Sequence, residues 1–186
     1  MIQTIILDIE GTITTPGGST GRFINNLQTK LQSLEARGLR VILCSGRDLQ
    51  YIKGFKKRWG LFASSPIIAE NGCVIFDGKS ELITFDPAKF AHKDIRNKLS
   101  NTNIHDFAEF DPAKQYLVTI YPKGFVSGLE AKLDDVPKIL EFAKPILSDL
   151  DLTITHSSCS VDIQPKGVDK LHGLKALIHH IPSIDL

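Results

Sequence analysis

The chain has 186 residues, 42% of them hydrophobic, and carries 22 Lys and Arg against 21 Asp and Glu. That length and apolar content suit one full domain, or a compact domain plus a small inserted one, and exclude a disordered chain. The near-balance of charge excludes a large field of one sign, so neither nucleic acid nor an anionic membrane surface is expected as a partner, and a small molecule is.

The first predicted element is a strand over 2–7, an apolar run of strand length ending at Asp8. A continuous rather than alternating run suits a parallel strand covered on both faces. After a turn-rich stretch, Phe23, Leu27, Leu31 and Leu34 recur at helical spacing until Gly38 offers a stop. A second strand is predicted over 39–44. Asp48 then caps a second helix with Leu49, Ile52 and Phe55 on one face up to Trp59 and Gly60. A third short strand over 67–69 completes a strand, helix, strand, helix, strand order, which predicts a parallel sheet with right-handed crossovers and a ligand site at the carboxyl ends of its strands. Asp8, Ser45 and Glu70 fall at those ends. From about Asp77 the texture changes to short strands over 82–85, 115–121, 152–155 and 160–163, with helices near 87–99 and 136–147, as in an α+β insertion. A helical pattern returns near 166–181, with Leu171, Leu174, Leu177 and Ile178 on one face.

No apolar run approaches the roughly 20 residues that cross a bilayer, and no basic segment precedes the first strand, so a cytoplasmic protein is expected. Cys44, Cys73 and Cys159 are odd in number, widely spaced and outside CxxC spacing, and read as small core residues.

Three short segments carry chemistry. Asp8-Ile9-Glu10-Gly11-Thr12 sets two carboxylates two residues apart just past a buried strand. One acid can attack while the other moves protons, dividing a hard displacement into two easier steps. Turn or helix-capping acids are the alternative for the isolated pair. Ser45-Gly46-Arg47 offers a hydroxyl and backbone amides that can receive phosphate oxygens, or else a turn into a helix capped by Asp48. Lys170, after Pro165-Lys166-Gly167-Val168-Asp169, is by itself an ordinary surface cation. Beside the other two motifs it reads as the charge that offsets a phosphoryl group and Asp8.

The three motifs, in this order, resemble motifs one to three of the haloacid dehalogenase superfamily, and the resemblance covers the whole chain. The run Ala69-Glu70-Asn71-Gly72-Cys73-Val74-Ile75-Phe76-Asp77, followed by an α+β insertion, resembles the branch whose cap lies between motifs two and three. That branch includes archaeal phosphoglycolate, sucrose-phosphate and mannosyl-3-phosphoglycerate phosphatases. The resemblance implies an α/β fold: a Rossmann-like core begun by 1–77, a small cap over 78–158, and a core segment returning over 159–186. It implies Asp8 as nucleophile and magnesium ligand, and Glu10 as acid/base and backbone magnesium ligand. Thr12, Ser45, Gly46, Arg47, Asn71 and Lys170 are implied to bind phosphate or substrate, a small phosphorylated metabolite.

Two departures from the family pattern bear on activity. Glu10 stands where the family usually has Asp, and its extra methylene changes reach more than acidity. The family's fourth motif, a strand followed by acids that hold magnesium, is not found before Leu186, and Asp185 precedes any such strand. Missing C-terminal core strands and weak magnesium binding are therefore expected, with a catalytically impaired chain that binds phosphate or a partner as the alternative. Loss of that strand is expected to leave 2–7 as an apolar sheet edge, open to pairing with another copy.

Other patterns carry less. Cys44 lacks the Arg that a cysteine-phosphatase loop needs, since position 50 is Gln50. Gly17-Gly18-Ser19-Thr20-Gly21 lacks the GK[ST] ending of a phosphate loop and reads as a flap. His179 and His180 are adjacent and point to different helix faces, a poor metal pair. Asp134-Asp135-Val136-Pro137 reads as a helix start.

Overall fold

The computed structural model describes residues 3–15, 24, 26–61, 65–127, 132–182 and 184. The expected face residue Phe23, the flap over 17–21 and Asp185 lie outside the described residues. The chain forms two compact units, residues 1–84 with 169–186 and residues 85–168.

The first unit holds a five-stranded sheet in the order β1 (Thr4–Leu7), β2 (Arg40–Cys44), β3 (Ile67–Ala69), β4 (Val74–Phe76), β5 (Glu81–Ile83). β1, β2 and β3 are parallel, with Leu7 opposite Leu43 and Leu43 opposite Ile67, so Asp8 and Ser45 emerge at the same end. The crossovers are α1 (Leu27–Ala36), which packs on β2, and α2 (Leu49–Arg58), which packs on β3. Asp48 caps α2 through Tyr51 N–H at 2.8 Å. β4 and β5 then turn back antiparallel. The apolar runs are continuous because both sheet faces are buried: Ile42, Cys44, Ile68 and Ile75 pack under α5 (Lys170–His180), while Val41, Leu43, Ile67 and Val74 are buried on the opposite side. Among the described residues β1 is an edge strand, with β2 its neighbour.

The second unit is a four-stranded antiparallel sheet in the order β6 (Ala108–Phe110), β7 (Val118–Pro122), β9 (Val161–Pro165), β8 (Leu152–His156). Its core under α3 (His92–Ser100) and α4 (Val136–Ile146) gathers Ile95, Leu99, Val118, Ile120, Ile139, Val161 and Ile163.

Several boundaries differ from the sequence expectation. The first unit runs to Thr84 instead of ending at 77, because β5 continues the β4 hairpin in the first sheet. The second unit runs to Val168 instead of 158, because β9 pairs with both β7 and β8. Local alternation cannot say which sheet a short strand joins. Leu171 is exposed, against expectation, because it lies about 200° around the helix from buried Gly173. Asp135 precedes α4 without capping it through its side chain. Cys44 and Cys73 are buried, whereas Cys159 is only partly so, in a turn closed by Ser157 and Ser160.

The first unit also buries charge. Lys56 is 2% exposed, donates to Ser65 O at 2.5 Å, and burial pulls its pKa down to about 8 despite the pull of Glu35 in the other direction. Burial pushes the Cys44 thiol up to about 11, with Lys170 opposing and Asp8 assisting. A base whose folded pKa is lowered adds stability as pH rises, since above about 8 the unfolded chain holds the proton and the folded one does not. The Cys44 shift works the other way, but only above the ordinary thiol pKa of 9.0. Thermal stability is therefore expected to climb by about 1 kcal/mol between pH 8 and 9. The climb should be absent in Lys56→Met, and a parallel climb in both proteins, followed by calorimetry, would contradict the assignment.

Candidate active site

Asp8 leaves β1 with its carboxylate turned in two directions: Oδ1 accepts Ile9 N–H at 2.8 Å and Oδ2 accepts Lys170 Nζ at 2.7 Å. Both side chains keep about two-fifths of their surface exposed, 38% for Asp8 and 41% for Lys170, so the pair stands at a surface open to solvent. The 9–14 segment folds over as a closed turn, with Ile13 and Thr14 N–H both on Ile9 O and Gly11 at φ 74°, a left-handed value that favours glycine. This turn aims Glu10 across to the loop after β2, where its Oε1 accepts Arg47 Nε at 2.9 Å and also Arg47 Nη2. Arg47 in turn lies over the Tyr51 ring, 4.9 Å from its centroid. Thr12 is exposed on the same turn.

The 45–47 loop is stitched to the 70–72 turn by backbone bonds. Ser45 N–H donates to Ile68 O at 2.9 Å, Asn71 N–H to Ser45 O at 3.2 Å, and Glu70 N–H to Arg47 O at 2.9 Å. Ser45 is buried, and its Oγ accepts Arg47 N–H at 3.2 Å. Gly46 leaves no room for a side chain without crowding, since a Cβ there would sit 3.0 Å from Asn71 Oδ1. Glu70 and Asn71 are both left-handed, at φ 49° and 53°, and Gly72 follows at φ 95°. Non-glycine residues hold such values at a cost and only where their surroundings fix them.

Lys170 reaches Asp8 because α5 starts hard against that turn. Asp169 caps α5 by accepting His172 N–H at 2.7 Å. Side chains at the contact would not fit: a Cβ on Gly72 would lie 2.0 Å from Asp169 O, and one on Gly173 would lie 2.6 Å from Gly72 Cα. His172 adds a tie from its Nε2 to Thr84 O at 2.8 Å.

Of the residues singled out in the sequence, the fold brings Asp8 onto Lys170, Glu10 onto Arg47, and Ser45 and Gly46 against Asn71. Arg47 contacts Glu10 directly, a partner that its expected phosphate-binding role did not name. Sequence reasoning missed Tyr51 and His172. Tyr51 had a legible signal, since it stands four residues after Arg47 at a helix start. His172 had none, because its partner lies across the fold. Burial raises the Tyr51 hydroxyl's pKa above its ordinary value, with Arg47 opposing.

The donors fall short of a self-contained magnesium site. Among the described residues no group of three or more His, Cys, Asp and Glu could hold a metal ion, and the Asp8 and Glu10 carboxylates are each turned to a cation. Magnesium demands near-octahedral oxygen coordination, and one carboxylate is a fraction of that.

The haloacid dehalogenase-like hydrolase family model matches residues 5–117, which include the Asp8 turn, the Ser45 loop and the Asn71 turn. The chain belongs to that family. It is 34% identical over 128 residues to a phosphoglycolate phosphatase of Staphylothermus marinus, covering 63% of this chain and 52% of that one. A second phosphoglycolate phosphatase, from Metallosphaera sedula, is 29% identical over 102 residues, covering 55% and 43%. The chain thus spans about half the length of these curated relatives. The sucrose-phosphatase of Synechocystis, solved with sucrose and phosphate, superposes with a TM-score of 0.65 at 14% identity, covering 98% of this chain and 72% of that one. At that identity the likeness shows the fold alone. No helix among the described residues is long and apolar enough to cross a membrane.

Gly173→Ala is expected to cost about 3 kcal/mol, because backbone rather than a flexible side chain meets the new methyl. A fall of roughly 6–12 °C in Tm would register it, and an unchanged Tm would contradict the close approach of α5.

Proposed function

We propose that this hydrolase-family chain cleaves small phosphomonoesters, with phosphoglycolate or a sugar phosphate as the substrate class, and that Asp8 is the nucleophile. The observation that carries this is the 2.7 Å contact of Lys170 on Asp8 at the carboxyl end of a parallel strand, between residues 162 positions apart. The ammonium that touches Asp8 also offsets the charge of an approaching phosphoryl dianion.

In this reading an Asp8 oxygen attacks phosphorus, the bond from phosphorus to the leaving oxygen breaks, and protonated Glu10 supplies the proton that oxygen takes. Water then attacks the aspartyl-phosphate, Glu10 takes its proton back, and phosphate leaves with Asp8 regenerated. The Arg47 guanidinium holds Glu10 at one oxygen, so Glu10 must leave that contact to reach the leaving group. Ser45 and the Asn71 turn line the same strand ends and are assigned to the phosphate. Magnesium, when bound, would neutralise phosphate charge. Asp8 is the acid placed to touch it, and the shortfall of donors favours weak binding.

A second reading is a phosphate-binding domain with little or no catalysis, favoured by that same shortfall. Phosphate release from an aryl phosphate and from phosphoglycolate, with and without magnesium, separates the two. In the catalytic reading Asp8→Asn loses at least about a thousand-fold in rate. Equal, background-level release by both proteins would leave phosphate binding as the function.

A further inference from the structure

The second unit holds a cleft of about 410 Å³ around the start of α3. The chain reaches it through a short helical turn, Pro87–Lys89, in which Asp86 accepts Ala88 N–H at 3.0 Å, and His92 then opens α3. Phe85 and Phe90, on either side of that turn, meet Tyr116 from the segment before β7. The Phe85 ring lies edge to face on Phe90, with centroids 5.8 Å apart and planes at 83°, and meets Tyr116 at 6.5 Å and 75°. Phe90 is buried, whereas Phe85 and Tyr116 are only partly so, and all three line the cleft with Pro87 and Ala91 beside them.

His92, which also lines the cleft, carries a buried Nε2 that has no hydrogen-bond partner among the described residues. Native proteins seldom leave a buried polar atom unpaired. Burial lowers the His92 pKa from its ordinary value, with Arg96 and Lys93 adding to the fall and a bond with the Leu117 backbone opposing it. The ring is therefore neutral at pH 7. Since a backbone bond that favours the protonated ring is a donation to a carbonyl, and Nε2 makes none, Nδ1 holds the proton and Nε2 presents a lone pair. Lys93 and Asp94, both exposed, complete the lining with opposite charges that cancel.

These features suit one ligand chemistry. A cleft of this size stands at the small end of ligand pockets, with walls mostly apolar and a single polar group to fix orientation. Aromatic walls favour an aromatic ligand through stacking and edge-to-face contacts, a lone acceptor favours one donor, and cancelling charges favour no ion. We propose that the cleft binds a small neutral aromatic ligand bearing one hydroxyl or N–H, with its ring against Phe85, Phe90 and Tyr116 and its donor on His92 Nε2. The inference concerns the second unit alone and does not depend on the role given to Asp8.

Titration of the full chain with phenol and with anisole, the same ring with its donor methylated, tests it through amide shifts and the ring-nitrogen shifts of His92. Phenol is expected to bind saturably in the millimolar range, moving the amides of Phe85, Phe90, His92 and Tyr116 together with His92 Nε2. It should bind about three- to tenfold more tightly than anisole. His92→Phe removes the acceptor and should bring the two ligands to equal affinity. Ala91→Trp, at an exposed position of the wall, should fill the cleft and abolish binding of both with Tm unchanged. If His92→Phe fails to fold, the Ala91 variant decides. Absence of saturable shifts, shifts mapping to other residues, equal affinity for anisole in the unmodified chain, a preference for phenol that survives in His92→Phe, or unchanged phenol binding in Ala91→Trp would each overturn the proposal.

Discussion

The first unit depends on the place where α5 meets the Glu70–Gly72 turn with no side chain between them. Two glycines make that contact possible. Gly72 takes a left-handed φ of 95° with the Asp169 carbonyl lying where its Cβ would be, and Gly173 rests on the Gly72 Cα. The turn in turn fixes the Ser45 loop through two backbone hydrogen bonds, and β3 adds a third through Ile68 O. One backbone approach thus sets where Lys170 begins its helix and where the Ser45 loop lies, although these segments are far apart in sequence.

The two ion pairs built on this frame contribute little to stability. Asp8 with Lys170 and Glu10 with Arg47 are all partly exposed, and such pairs are worth up to about 1 kcal/mol. Their value lies in arrangement. Two carboxylates two residues apart receive different cations, one from the start of α5 and one from the loop after β2. By contrast, the buried Lys56 bears on stability and its dependence on pH, away from the strand ends.

Much of the first unit was legible in the sequence because its signals are local. Continuous apolar runs at 2–7, 39–44 and 67–69 announced buried parallel strands, and Asp48 announced the start of α2. The strand pattern placed Asp8, Ser45 and Glu70 at one end of the sheet, and the family resemblance added Lys170. What failed was long-range. Residues 81–83 and 161–165 read equally well as strands of either sheet, and only pairing assigns the first to β4 and the second to β7 and β8. Leu171 fitted an apolar stripe on paper, but the true stripe is set by Gly173, which hydrophobicity cannot reveal. The Arg47 contact with Glu10 depends on a turn, Gly11 to Thr14, whose closure is a backbone matter.

The central claim is that Asp8 carries the phosphoryl group. Hydroxylamine captures an aspartyl-phosphate as a hydroxamate, so the chain would be turned over on an aryl phosphate in its presence and its peptides weighed. The expected result is a hydroxamate on the peptide containing Asp8, formed only when substrate is present. Steady turnover with that peptide unmodified, or a hydroxamate on another carboxylate, would contradict it.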